Sequence, residues 1–262
     1  MPLSNQMILW LESKMKKLLL TTILATSSIY AETISIAVAA NVSYAIEDLK
    51  KQFNKTNPDV KLRITLGSSG KLTAQIKNGA PYELFMSANM KYPDTLYKDG
   101  LAITKPLVYA KGSLALFSKR PQDFSNGLEL LKEKKNKRIA IANPKTAPYG
   151  IAAYEALKNA NILNDVKKKF VYGESISQTL SYTLTAANIG IIAKSTLYSK
   201  KLQKFKENKN YIDIPSSLYT PINQGIVILK RARDKKEVKA FYDFMQSNEA
   251  KEVLKNYGYQ VP

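Results

Sequence analysis

Short apolar runs rich in β-branched and aromatic residues alternate along this chain with stretches whose apolar positions recur at helical spacing. Ile34 to Ala39, Leu62 to Leu66, Leu84 to Ser87, Leu114 to Ser118, Arg138 to Ala142, Phe170 to Tyr172, Ile189 to Ala193 and Gly225 to Leu229 read as strands. Between them, Ala45, Ile46, Leu49 and Phe53 share one helical face, Leu72 and Ile76 a second, and Ala152, Ala153, Ala156 and Leu157 a third. Two more helices close the chain, one carrying Val238, Phe241, Tyr242 and Met245 and the next Ala250, Val253 and Leu254. Strand and helix in alternation is the signature of an α/β fold. Pro106 and Pro221 break the pattern, so two lobes joined by extended crossings near Lys105 to Tyr109 and Thr220 to Asn223 are expected.

The first segment follows a different logic. Lys14, Lys16 and Lys17 precede an apolar run from Leu18 to Ile29 that ends at Tyr30-Ala31-Glu32, the charged, hydrophobic and cleavage regions of a secretory signal. The run is too short for a membrane span. Residues 1–31 therefore read as a signal peptide cleaved near Ala31, with Met7 or Met15 as alternative starts. The remainder divides into one lobe of residues 32–108 and 223–262 and another of 109–222.

Composition then removes whole classes of chemistry. Among 262 residues there is no cysteine and no histidine. Disulfides, a lipidated cysteine, thiolate or imidazole metal ligands and any Ser-His-Asp or Cys-His catalytic site are thereby excluded. No carboxylates cluster at metal-binding spacing, so an enzyme is not expected. An exported chain without a lipid anchor should be free in a periplasm. The net charge of +19 invites a nucleic-acid reading. Its lysines are dispersed over 132–138, 167–169, 200–209 and 230–236, as on solvated helix faces, and no nucleic-acid partner is expected. What the charge does supply is a positive field that speeds encounter with a dilute anion.

Four strand-to-helix junctions carry small or polar residues where a helix begins: Ala39 to Ser43, Gly67 to Lys71, Pro144 to Gly150 and Glu174 to Ser177. A helix start leaves its first amides unpaired and partly positive, so converging starts can cage an oxyanion without cationic side chains. Ser69 has two readings, helix cap or hydroxyl donor to a ligand, and Asn41 likewise. Tyr149 either packs or gives its amide and hydroxyl to a ligand. Gly70-Lys71 does not make a phosphate loop, because Thr65 stands where that motif needs glycine and Leu72 where it needs Ser or Thr. Only Glu174 among these turns offers a carboxylate. A proton-bearing phosphate needs an acceptor, whereas a fully ionised oxyanion wants donors only, so molybdate, tungstate or sulfate fits these turns best.

The segments AVAANVSYAI (37–46), GSSGKLTAQIKNGAPYELFMSAN (67–89), NPKTAPYG (143–150) and KAFYDFMQSNEAKEVLKNYGY (239–259) resemble the molybdate-binding proteins of bacterial ABC transporters across nearly the whole exported chain. The resemblance implies a two-lobed type II solute-binding fold with the ligand cleft between lobes. It implies molybdate or tungstate as ligand, no cofactor, no catalytic residue, a monomer, and a membrane permease as partner; another oxyanion such as sulfate is the alternative ligand. Carried over by position, Asn41 and Ser69 would donate from the first lobe, Tyr149 and the Ile176 amide from the second, and Ala40 would add its amide. One branch of the family has a serine at the position of Asn41 and a tyrosine at that of Ala193; this chain departs at both, and Lys194 beside Ala193 adds a charge near that corner.

Overall fold

Period-two burial on both faces of two sheets organises the molecule. In this computed structural model residues 32–262 are described, so the expected signal segment lies outside the described residues. The first sheet takes β1 (Glu32–Ala39), β2 (Val60–Gly67), β3 (Leu84–Met86), β4 (Leu107–Gly112) and β10 (Ile222–Ile228) in the order β2-β1-β3-β10-β4. The second takes β5 (Leu114–Phe117), β6 (Ile139–Ala142), β7 (Phe170–Gly173), β8 (Ile189–Ala193) and β9 (Tyr211–Asp213) in the order β7-β6-β8-β5-β9. Both are mixed: β1 runs parallel to β3 and β6 to β7 and β8, while β10 and β5 run antiparallel to their neighbours.

Alternation decides which helices cover which face. Ile36, Val38, Leu84, Met86, Ile226 and Ile228 turn toward α1 (Ile46–Phe53), α7 (Lys236–Phe244) and α8 (Asn248–Asn256). There Phe53 and Phe241 meet edge to face with centroids 5.2 Å apart. Ala37, Phe85 and Val227, the intervening positions, face α2 (Ser69–Lys77) and α3 (Lys91–Lys98). In the second sheet Leu116, Ile141 and Ile191 pack on α4 (Pro148–Asn159), whereas Ala115, Phe117 and Ile192 meet Leu180 of α6 (Ile176–Thr185). The short α5 (Leu163–Val166) completes the helices used here. Burial on both faces explains why these strands read as nearly continuous apolar runs.

All eight strands expected from the pattern form, and β4 and β9 are additional. β4 begins directly after Pro106, where the ring no longer removes a donor from the ladder, and it pairs with β10 through Lys111 and Asn223. The chain therefore changes sheet at Ser113, between Gly112 and Leu114, and returns between Asp213 and Ile222. One irregularity matters below: the register of β10 on β4 shifts between Gln224 and Gly225, which pair with Ala110 and Val108 and leave Tyr109 of β4 as the extra residue of a bulge.

Candidate anion-binding site

The carboxyl ends of β1, β2, β6 and β7 lead into the four junctions, and these meet at one cavity between the two sheets. Ala40, Asn41, Ser69, Tyr149 and Ile176 all line it, together with Ala39, Gly67, Ser68, Ala88, Ala147 and Pro148, around a small, tightly enclosed space. None of these residues is charged. What the cavity offers instead is the first turn of three helices: Ser69, Tyr149 and Ile176 stand at or next to the first positions of α2, α4 and α6, and their amides have no carbonyl partner. The Ala40 amide is likewise unpaired. Each helix start carries roughly half a positive charge, so the cavity is electropositive without a cation in its wall.

Ser69 is not a cap. Ser68 holds that position in extended backbone without a side-chain capping bond. The Ser69 hydroxyl instead accepts the Ala88 amide at 2.9 Å, with the residue fully buried. That bond occupies an acceptor lone pair and leaves the hydroxyl proton free to donate. Asn41 does not cap either, since Ala39 precedes the short 3-10 turn Ala40–Val42 with no side-chain bond. Its Nδ2 donates to Gln224 Oε1 at 2.8 Å and to the Tyr259 hydroxyl at 3.1 Å, and its Oδ1 is buried without a partner.

Tyr149 contributes its amide to the cavity, whereas its hydroxyl lies over Gly112, where an added Cβ would sit 2.1 Å from it. Gln224 Nε2 donates to that hydroxyl at 3.4 Å, and the Tyr109 hydroxyl donates to Gln224 Oε1 at 2.8 Å. Burial pushes the phenols of Tyr109 and Tyr149 well above their ordinary pKa and that of Tyr259 up to about 12, so all three are neutral donors and acceptors. Ala193 is buried in β8, and Lys194 pairs with Asp213, so neither lines the cavity.

The cleft is closed around this space. Gly70 N–H donates to the Thr146 carbonyl at 2.9 Å, Ser68 Oγ to Glu174 Oε1 at 2.9 Å, Ser177 Oγ to the Ala40 carbonyl at 2.8 Å and Ser195 Oγ to the Asn41 carbonyl at 3.4 Å. Each joins a residue on the first sheet's side to one on the second's. A larger groove of about 1210 Å³, open to solvent, is lined by Lys119, Arg120 and the end of α6 and contains none of the expected residues. Among the described residues no group of acidic side chains could hold a metal ion.

Sequence reasoning missed Gln224, Tyr259, Ala88 and Ser195. Gln224 did carry a signal, a long polar side chain inside the apolar strand INQGIVI on the face of Ile226 and Ile228, but alternation names a face and not the distant Asn41, Tyr109 and Tyr149 that meet it there.

Comparison with known proteins agrees with this architecture. The family described as bacterial extracellular solute-binding protein matches residues 34–260. The molybdate-binding protein ModA of Azotobacter vinelandii is 36% identical over 231 residues, 87% of this chain and 90% of that protein. Its counterpart ModA in Rhodobacter capsulatus is 34% identical, with 85% and 86% covered. A solved structure, the periplasmic molybdate-binding protein of Azotobacter vinelandii, superimposes with a TM-score of 0.81 at 32% identity, covering 87% of this chain and 99% of that one.

Proposed function

Because the chain belongs to the bacterial extracellular solute-binding protein family, we propose that it captures molybdate in the periplasm and delivers it to the permease of an ABC importer. The observation that carries this reading is the cavity itself: three helix starts and the Ser69 hydroxyl converge on a space walled by no charged side chain. A dianion without protons satisfies such a wall, since every inward amide and hydroxyl can donate and none needs the ligand to donate back. Tungstate presents the same oxygens and is a ligand of the same site. The two lobes, expected at residues 32–108 with 223–262 and at 109–222 and divided in the sheets at Ser113 and between Asp213 and Ile222, close on the anion.

The protein binds and releases its ligand unchanged. It has neither histidine nor cysteine to move a proton or form a covalent intermediate, and the cavity wall offers no carboxylate as a substitute. It acts as a monomer, with the permease as its macromolecular partner. Export is directed by residues 1–31, and the N-terminus of the periplasmic protein is expected near Glu32.

Isothermal titration with molybdate, tungstate, sulfate and phosphate tests the assignment. One-to-one binding is expected, tight for the first two and much weaker for sulfate and phosphate. Equal affinity for sulfate and molybdate would overturn the molybdenum reading in favour of a general oxyanion site.

A further inference from the structure

Asn41 and Gln224 are separated by 183 residues and are 1% and 0% exposed, yet their carboxamides are hydrogen-bonded at the cavity's edge. In the observed orientation both N–H groups of Asn41 are directed away from a ligand, to Gln224 Oε1 and the Tyr259 hydroxyl. The opposite edge of the amide, Oδ1, has no partner although Asn41 lines the cavity. An unpaired carbonyl oxygen beside a dianion is repulsive, and a buried acceptor without a donor is destabilising in any case.

We propose that Gln224 is a positioning residue for the anion site: when the anion binds, the carboxamides of Gln224 and Asn41 turn over together, and Asn41 presents N–H to the ligand in place of C=O. This rests on the oxyanion reading above and adds to it the device that makes Asn41 a donor.

The two amides cannot act separately. Turning Asn41 alone would set its Oδ1 against Gln224 Oε1 at the 2.8 Å spacing now held by a hydrogen bond, acceptor against acceptor. Turning both restores the bond with its direction reversed, Gln224 Nε2 donating to Asn41 Oδ1. Gln224 Oε1 then takes the place from which Nε2 now reaches Tyr149, and the Tyr149 hydroxyl changes from acceptor to donor. The Tyr259 hydroxyl keeps its 2.9 Å bond to the Asn41 backbone carbonyl throughout. Two bonds are lost in the turned arrangement, the Tyr109 proton's bond to Gln224 and the Asn41 N–H bond to the Tyr259 hydroxyl, and the new bond from Asn41 to a charged oxygen works against both losses.

Alternation along β10 puts Gln224 on the face of Ile226 and Ile228, and the bulge, whose extra residue is Tyr109 of β4, sets Tyr109 opposite it. Gln224 is thereby reached at once by Asn41 beyond β1, Tyr109 on β4 and Tyr149 on α4. The turnover therefore links the anion to both strands that border the sheet change and to the second lobe's tyrosine.

Two measurements test the proposal on the full exported protein. In the parent, nuclear magnetic resonance of the side-chain amides during molybdate titration should show both the Asn41 and the Gln224 N–H pairs shifting. A Gln224 pair that stays fixed while Asn41 moves overturns it. The second is a double-mutant cycle with Gln224→Glu at about pH 9, to keep the new carboxyl ionised and acceptor-only. That acceptor holds Asn41 in its present orientation. Asn41→Ala should then weaken molybdate binding about tenfold to a hundredfold in the parent but less than about threefold beside Gln224→Glu. Equal losses in the two backgrounds overturn the proposal, and the new charge cancels from that comparison. Should Gln224→Glu fail to fold, as thermal denaturation would report, the resonance experiment decides alone. A parent that binds no molybdate refutes the oxyanion reading itself, a different result from either failure.

Discussion

Replacing Ser69 by alanine removes one hydroxyl that the structure gives two jobs. It accepts the Ala88 amide at 2.9 Å inside a fully buried environment, and its proton is free to donate to a ligand in the cavity. Loss of a hydrogen bond to a charged oxygen weakens binding by about 1.5 to 3 kcal/mol, or roughly tenfold to 150-fold in Kd. Leaving the Ala88 N–H without a protein acceptor costs about 1 to 3 kcal/mol of fold stability, less where water enters the empty cavity to replace it. Isothermal titration reads the first quantity, and denaturation of the ligand-free protein the second. Lys71→Ala is the control, because Lys71 is exposed and its ammonium acts only at long range; its Kd should stay within about twofold at physiological salt. Parental molybdate affinity in a destabilised Ser69→Ala protein would refute the donor role and leave Ser69 as a structural acceptor for Ala88.

Gly70→Ala should weaken molybdate binding more than it lowers the ligand-free thermal midpoint: its Cβ would fall 2.7 Å from the Tyr92 hydroxyl, the free end of a side chain that can swing aside, and 2.9 Å from the Thr146 carbonyl across the cleft, which is backbone and cannot. Unchanged affinity in that variant would mean that closure does not need the Gly70 to Thr146 approach. Saturation with molybdate at about a hundred times Kd should stabilise the parent by about 2.7 kcal/mol, read as a rise in midpoint that sulfate at equal concentration does not match. The buried phenols predict an alkaline limit. Tyr109, Tyr149 and Tyr259 bind their protons more tightly when folded, so stability is intact below about pH 10 and falls as pH rises from there toward the folded values. Each contributes a slope of about 1.4 kcal/mol per pH unit, and Tyr259→Phe should reduce the measured slope by about that amount; an unchanged slope contradicts the assignment.

The parts of this molecule legible in its sequence are those set by neighbours in the chain. The strand runs and the helical stripes at Leu49 and Phe53 or Ala156 and Leu157 depend on local periodicity, and all of these residues are buried as that period requires. The donor turns were legible for the same reason, because unpaired amides at a helix start follow from the start itself. What was not legible depends on residues far apart. Asn41 reads locally as a cap or a donor, and neither reading contains Gln224 or Tyr259, whose contacts with it span 183 and 218 residues. β9 has three residues and pairs only as an edge to β5, too little for a period to declare itself.

Closure of the cleft sets which anion the site retains. Bringing α2, α4 and α6 start-to-start places three partly positive helix ends around one cavity, which is repulsive until a negative ion occupies the centre. The bonds that hold the lobes together around it, from Gly70, Ser68, Ser177 and Ser195, contribute about 0.5 to 1.5 kcal/mol each, or about 2 to 6 kcal/mol in sum. With the Gly70 amide 2.9 Å from the Thr146 carbonyl, an occupant of the cavity must fit beneath that contact for all four to persist. An anion too large for that approach forfeits them, a loss of about thirtyfold to twenty-thousandfold in affinity, while one too small leaves amides of Ser69, Tyr149 or Ile176 unpaired. Charge thus admits any oxyanion to the open cleft, and selection among them falls to the geometry of closing.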